Sequence, residues 1–117
     1  MADEREELLK AAYDAFNARD IERALALMVP DVDWPNGMEG GRVHGHDEVR
    51  AYWTRQFGLI DGQVWPAEFT LLDDGRVSVR VHQVVRSLEG DVLSDGYLSH
   101  VYSFRDGLVS GMEIVEA

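Results

Sequence analysis

Residues 31–57, DVDWPNGMEGGRVHGHDEVRAYWTRQF, decide the fold that the rest of the chain takes up. They begin as a short extended segment that ends at Pro35, and four glycines precede a helix predicted from about Asp47. Several side chains here have an apolar body, a polar tip or both, which suits the wall of a small-molecule pocket. We therefore expect the remaining elements to build a container around this stretch.

Helical periodicity precedes this stretch and strand periodicity follows it. Apolar residues form one stripe over residues 4–18, and a second stripe starts at Ile21 and reaches Met28, where Pro30 ends the helix. After Gly62 apolar and polar residues alternate, which is typical of half-buried strands. Pro66 marks an edge strand or a bulge. The predicted strands span residues 32–34, 64–72, 77–86, 92–104 and 108–115.

The order of these elements predicts an α+β domain. Three helices surround one short strand, and a four-stranded antiparallel meander follows, so the helices are expected to pack against one face of the sheet. A long twisted sheet covered on one face curls into an open cone, whose mouth forms a pocket. With 117 residues and 45% hydrophobic content, the chain is expected to form a single domain, residues 1–117.

Charge and composition exclude several classes of partner. The 22 acidic and 11 basic residues give a net charge of −11, which repels nucleic acid and anionic membrane surfaces. The chain has no cysteine, hence no disulfide and no thiolate metal site. Its first residues are acidic, with no signal peptide or transmembrane run, so a cytoplasmic location is expected.

His100 and Tyr13 are the candidate catalytic residues. His100 alternates in phase with Leu98, Tyr102 and Phe104, and imidazole can donate or accept a proton near neutral pH. The alternative is a histidine of the core or of a dimer interface. Tyr13 lies on the inward stripe of the first helix, where its hydroxyl could bind a carbonyl or enolate oxygen. The alternative is a core tyrosine whose hydroxyl meets a backbone carbonyl.

A set of mostly aromatic side chains is expected to form the substrate-binding wall. If these side chains fill the cone, no cavity remains. His44 and His46 have a spacing that could hold a metal, but no third ligand is evident, so no metal site is predicted. We expect His46 to abut the helix start and His44 to pack at the mouth. The predicted wall residues are Trp34, Asn36, Met38, Tyr52, Trp53, Phe57, Tyr102 and Met112.

Three segments carry a resemblance to a known family: residues 13–20, YDAFNARD; residues 45–53, GHDEVRAYW; and residues 100–109, HVYSFRDGLV. With the order of elements, they resemble the SnoaL-like branch of the nuclear transport factor 2-like superfamily over nearly the whole chain. The resemblance implies a cystatin-like cone and a homodimer formed through the outer sheet face, which carries Arg80, His82 and Arg86. It specifies the fold better than the chemistry, because one fold hosts many functions.

Ketosteroid isomerases are the most useful comparison within the superfamily. Their oxyanion-donor tyrosine falls on Tyr13, their catalytic aspartate near Asn36, and their second aspartate near His100. An amide is not a base near neutral pH, so the resemblance does not imply the same isomerisation mechanism. Polyketide cyclases resemble the chain in outline and use a polar acid/base residue at a place where His100 could stand.

Three functions therefore remain open at this point. The first is a cofactor-free isomerase or cyclase for a hydrophobic carbonyl compound, in which His100 moves the proton and Tyr13 and Asn36 bind the developing oxyanion. The second is a binding module that holds an apolar ligand without chemistry. The third is an association domain whose cone is filled.

Overall fold

The computed structural model describes residues 3–37 and 39–116, and these form helices packed on one face of a curved, unclosed sheet. The predicted α+β architecture is confirmed. No helix in this part of the chain is long and apolar enough to cross a membrane. The elements are α1 Glu4–Asn17, α2 Ile21–Leu25, β1 Met28–Pro35, β2 Arg42–His44, α3 Gly45–Phe57, β3 Ile60–Leu71, β4 Val77–Ser87, β5 Val92–Arg105 and β6 Leu108–Glu116.

Both N-terminal helices begin at aspartates that satisfy free backbone N–H groups. The Asp3 carboxylate accepts a hydrogen bond from the Arg5 amide at 2.8 Å, and the Asp20 carboxylate accepts one from the Arg23 amide at 3.2 Å. The prediction that α2 reaches Met28 is wrong. The helix ends at Leu25, because Met28 already pairs with Val109 of β6 as part of a strand.

The sheet order is β2-β1-β6-β5-β4-β3. Strands β3 to β6 form the predicted antiparallel meander. In contrast to the antiparallel sheet expected throughout, β1 runs parallel to β6, with Asp33 beside Gly111. Strand β2 lies in the glycine-rich segment before α3, outside the strands predicted from the sequence, and it pairs with the end of β1. Pro30, predicted to end a helix, is an exposed residue inside β1.

Strand β3 is an edge strand with an irregularity between Pro66 and Glu68, as its proline predicted. Two residues at the end of α1 hold this edge. The Asn17 amide donates to the Val64 carbonyl at 2.8 Å and accepts from the Val64 N–H at 3.0 Å. Arg19 donates to the Gly62 carbonyl at 2.7 Å. The helix and the edge strand are therefore fixed to each other by side chain to backbone bonds.

The apolar core lies between the concave face of the sheet and the helices. Inward positions of β4 are buried in alternation, and Val79 and Val81 have no exposed surface. They pack in one cluster with Leu9 of α1 and Val49 of α3, which are also fully buried. The next turns of α1 and α3 stand over a cavity, so the core and the cavity share the same two helices.

Candidate functional site

A cavity of about 410 Å³ lies between the concave face of the sheet, α1 and α3. Its volume falls within the range of small-molecule sites in proteins. The lining is mainly apolar and is contributed by both helices and by strands from one edge of the sheet to β1. The predicted site residues that line it are Tyr13, Trp34, Tyr52, Trp53, His100, Tyr102 and Met112.

Aromatic rings make one wall of the cavity. Trp34 of β1 meets the edge of Trp53 of α3, with ring centroids 5.6 Å apart. Trp53 also packs edge to face against Phe16 of α1 at 5.6 Å. Trp34 lies 6.2 Å from the ring of Tyr102. Edge-to-face pairs of this kind favour defined ring orientations.

The deep end of the cavity holds a chain of three polar side chains. The hydroxyl of Tyr102 donates to the hydroxyl oxygen of Tyr13 at 2.8 Å, and the Tyr13 hydroxyl lies 2.9 Å from Nδ1 of His100. The three residues are at most 5% exposed. The sequence predicts His100 and Tyr102 on one face from their alternation, and the structure places both there, with Tyr13 above them.

The bond from Tyr102 to Tyr13 favours one tautomer of His100. Tyr13 already accepts the proton of Tyr102, so its own proton is available for Nδ1 of His100. Nδ1 is then the acceptor, and Nε2 carries the hydrogen. All buried side-chain nitrogens and oxygens of the described chain have partners, whereas Nε2 has none among these residues. The Nε2–H group must therefore have surface open to the cavity that His100 lines.

Burial sets the protonation states of this chain. Desolvation lowers the pKa of His100 to about 4, so the imidazole is neutral at pH 7. Desolvation also raises the pKa of both tyrosines well above the usual value, so both hydroxyls keep their protons. The deep end thus carries no net charge and presents a single N–H donor to the cavity.

Two of the predicted wall residues do not line the cavity, and one cannot be placed. The Asn36 amide bonds within its own loop: it donates to Oε1 of Glu39 at 2.9 Å and accepts from the Glu39 N–H at 2.8 Å. Phe57 packs on Phe16 and under the guanidinium of Arg19, and it does not line the cavity. Met38 lies outside the described residues.

Of the two loop histidines, His46 lies at the start of α3 as predicted, whereas His44 is not at the mouth of the cavity. Nε2 of His46 lies 3.1 Å from the Met28 carbonyl, which ties the start of α3 to β1. His44 is exposed beside Asp33 at 3.2 Å and does not line the cavity. No group of three or more metal-ligating side chains occurs within the described residues.

Sequence reasoning missed the polar residues at the opposite end of the cavity. Gln56 of α3, Gln83 of β4 and Ser94 of β5 all line it. The alternation of β4 carries a signal for one of them, because Gln83 continues the inward phase of Val79 and Val81. Gln56 follows Trp53 by three positions, which places it on the same side of α3.

With this geometry established, comparison with known proteins gives the family. A SnoaL-like domain model matches residues 9–112. The chain belongs to the SnoaL-like domain family. No curated protein matches the chain. The family assignment confirms the resemblance carried by the three sequence segments, and it accounts for the helices and curved sheet of this SnoaL-like domain.

Solved structures similar to this SnoaL-like domain include proteins crystallised with small molecules. TerC, co-crystallised with polyporic acid, is 31% identical, with a TM-score of 0.84 over 98% of this chain and 92% of that chain. An NTF2-like protein of unknown function from Burkholderia pseudomallei is 29% identical, with a TM-score of 0.85 over 99% and 92%. RV0760c from Mycobacterium tuberculosis, in complex with estradiol-17beta-hemisuccinate, shares the fold at 18% identity, TM-score 0.82, over 97% and 93%.

Proposed function

We propose that this SnoaL-like domain binds a hydrophobic carbonyl compound in its cavity and acts on it as a cofactor-free isomerase or cyclase. The observation that carries the proposal is the buried Tyr102–Tyr13–His100 hydrogen-bond chain, which ends in one N–H donor at an apolar cavity. A carbonyl oxygen is the ligand group that matches a neutral donor in such surroundings. The co-crystallisation of TerC with a small molecule supports an occupant of this kind.

The geometry favours a different role for His100 than the proton transfer predicted from the sequence. With a pKa of about 4, only about one imidazole in a thousand is protonated at pH 7, and Nδ1 is occupied by Tyr13. His100 is therefore a poor acid and a poor base. Its Nε2–H instead hydrogen-bonds the carbonyl oxygen and stabilises the negative charge that develops there when solvent takes up the α-proton and the substrate enolises.

The enzymatic role is tested by isotope exchange, which needs no knowledge of the natural substrate. 4-Acetylbiphenyl is incubated with the protein in D₂O, and loss of its α-protons is followed by NMR. We expect exchange above the buffer rate, and its loss in His100→Phe. His44→Phe, which changes an exposed histidine that does not line the cavity, is the matched control. Equal exchange in wild type and His100→Phe would reject the role of His100.

A second candidate function is ligand binding without chemistry. It is favoured by one observation: no carboxylate belongs to the described residues that line the cavity, so the site has no strong general base of its own. In this case 4-acetylbiphenyl binds wild type more tightly than His100→Phe, but its α-protons exchange at the buffer rate. The same experiment thus separates the two functions.

We also propose that the outer face of the sheet joins two copies of the chain. This face carries a row of rings across three strands, Trp65, His82 and Tyr97, with neighbouring ring centroids 5.5 and 4.9 Å apart. Trp65 and Tyr97 are 42% and 53% exposed. Arg80 lies over the Tyr97 ring, and Asp95 bonds His82, so the face offers both charges to an identical face.

Sedimentation velocity tests this association. We expect wild type to sediment as a dimer and Tyr97→Lys as a monomer, because a lysine there places a charge at one end of the ring row, where Tyr97 is most exposed. Leu88→Lys, at another exposed apolar residue in the turn after β4, is expected to remain dimeric. A monomeric wild type at micromolar concentration would exclude the dimer.

A further inference from the structure

We infer that the cavity selects uncharged, elongated ligands that carry a hydrogen-bonding group at each end. The inference rests on the proposed function, because it takes the carbonyl at His100 as the first of the two groups. The second group is held at the mouth by the side-chain amides of Gln56 and Gln83, which we call the rim amides.

The rim amides are the uncommitted amides of the described chain. Asn17 is bonded to Val64, Asn36 to Glu39, and the Gln63 amide reaches Asp61. Gln56 and Gln83 make no side-chain hydrogen bond to any described residue, and both line the cavity. Each therefore presents two N–H donors and one carbonyl acceptor to whatever occupies the mouth.

Strand register places the rim amides at a defined distance from His100. His100 pairs with Val79, and Gln83 lies four residues further along β4, opposite Gly96. Four residues of strand span about 13 Å. The apolar side chain of Leu98, which pairs with Val81, lines the cavity between the two ends. A ligand that satisfies both ends must therefore have an apolar body about as long as two fused or linked rings.

Two glycines keep the rim amides accessible. Gly62 of β3 pairs with Val85, and Nε2 of Gln56 lies 3.8 Å from where a Cβ would stand on Gly62. Gly96 sits beside Gln83 in the sheet, and a Cβ there would meet nothing within 4 Å. Neither glycine places a side chain beside the rim amides.

The charges of the lining restrict the ligand further. The lining contains no lysine, arginine, aspartate or glutamate among the described residues, and His100 and the tyrosines are neutral at pH 7. Burying a charged ligand group here would leave it without a counter-ion. Amides both donate and accept, so the second ligand group is a neutral hydroxyl or carbonyl.

A matched pair of compounds tests the inference. 4-Acetylbiphenyl carries only the carbonyl, and 4-acetyl-4′-hydroxybiphenyl adds a hydroxyl at the opposite end of the same body. Binding of both is measured by isothermal titration calorimetry. One added hydrogen bond predicts that wild type binds the hydroxylated compound about threefold to tenfold more tightly. The ratio of the two dissociation constants isolates the contribution of the hydroxyl, because both compounds bury the same apolar body.

Three variants locate the effect. Gln83→Leu and Gln56→Leu are expected to lower the ratio, and the double variant to bring it to about one. Gln63→Leu is the matched control, because Gln63 lies next to Val64 on the opposite face of β3 and does not line the cavity. None of the rim amides bonds the described protein, so the variants are expected to fold, which thermal unfolding checks.

The outcomes separate this inference from the proposed function. If both compounds bind wild type with equal affinity, or if the ratio survives in the double variant, the rim has no selective role, while the loss of binding in His100→Phe still supports the proposed function. If neither compound binds, or if His100→Phe binds both compounds as tightly as wild type does, both the proposed function and this inference are overturned.

Discussion

The neutral state of His100 makes stability depend on pH. Burial lowers its pKa from 6.5 to about 4, so between these values the unfolded chain binds a proton that the native chain does not. The free energy of unfolding therefore falls as pH falls from about 6.5 towards 4, by about 2 kcal/mol between pH 7 and pH 5.

Urea unfolding at pH 7 and pH 5 measures this loss. We expect His100→Phe to lose about 2 kcal/mol less than wild type between the two pH values, because it has no imidazole to protonate. A loss in His100→Phe as large as that of wild type would contradict the buried neutral imidazole.

Tyr13 is expected to control the tautomer of His100. Its hydroxyl is the donor that fixes Nδ1 as an acceptor, so Tyr13→Phe should replace a single Nε2–H tautomer with a mixture. The loss of this buried partner should also destabilise the protein by about 1–3 kcal/mol. The ¹⁵N shifts of the His100 ring report the tautomer. Tyr97→Phe, on the outer face, should leave those shifts unchanged.

Individual residues show which features of the site the sequence predicts and which it does not. Alternation along β5 is enough to place His100 and Tyr102 on one face. The bond from His100 to Tyr13 joins residues 87 positions apart, and no local pattern contains it. Asn36 has the composition of a pocket residue, but its short amide finds partners on Glu39 in its own loop. Whether the Asn36 side chain bonds within its loop or faces the cavity depends on the backbone geometry of the loop, which cannot be read from one sequence.

At the scale of elements, Asn17 is expected to stabilise the edge of the sheet. Its amide takes the place of a neighbouring strand for both backbone groups of Val64. Asn17→Ala should leave a buried carbonyl and N–H unpaired, which costs about 1–3 kcal/mol. Amide hydrogen exchange at Val64 should accelerate. Gln63→Ala removes an amide from the adjacent outward position and should leave exchange at Val64 unchanged.

Elements were predicted well where the pattern is local and poorly where it depends on distant partners. The alternating valines of β4 identify that strand directly. The spacing of Leu25 and Met28 fits a helix as well as it fits two separate elements. Met28 becomes a strand residue through its pairing with Val109, which lies 81 positions away. Strand β2 has only three residues, too few for a visible alternation.

At the scale of the whole molecule, the net charge of −11 is expected to make stability increase with salt. Most arginines are already paired, as Arg50 is with Glu22 and Asp47, but these pairs are exposed and contribute little. Repulsion among the remaining carboxylates is the larger effect, and salt screens it.

Thermal unfolding in low and high sodium chloride measures the balance between the repulsion among carboxylates and the attraction within the exposed ion pairs, both of which salt weakens. A gain of about 1 kcal/mol would raise the melting temperature by roughly 4 °C for a domain near this size. Sucrose at matched osmolality controls for exclusion of the solute from the protein surface. A lower melting temperature in salt would mean that the exposed ion pairs outweigh the repulsion.

The parallel contact between β1 and β6 also bears on how the chain matures at the ribosome. β1 emerges early, yet its neighbour in the sheet is translated about 80 residues later, which takes roughly 4–16 seconds. Met112 and Ile114, two lining residues, arrive with that last strand. The cavity of a nascent chain is therefore incomplete, and a ligand cannot assist folding by binding in it until synthesis of the domain is nearly complete.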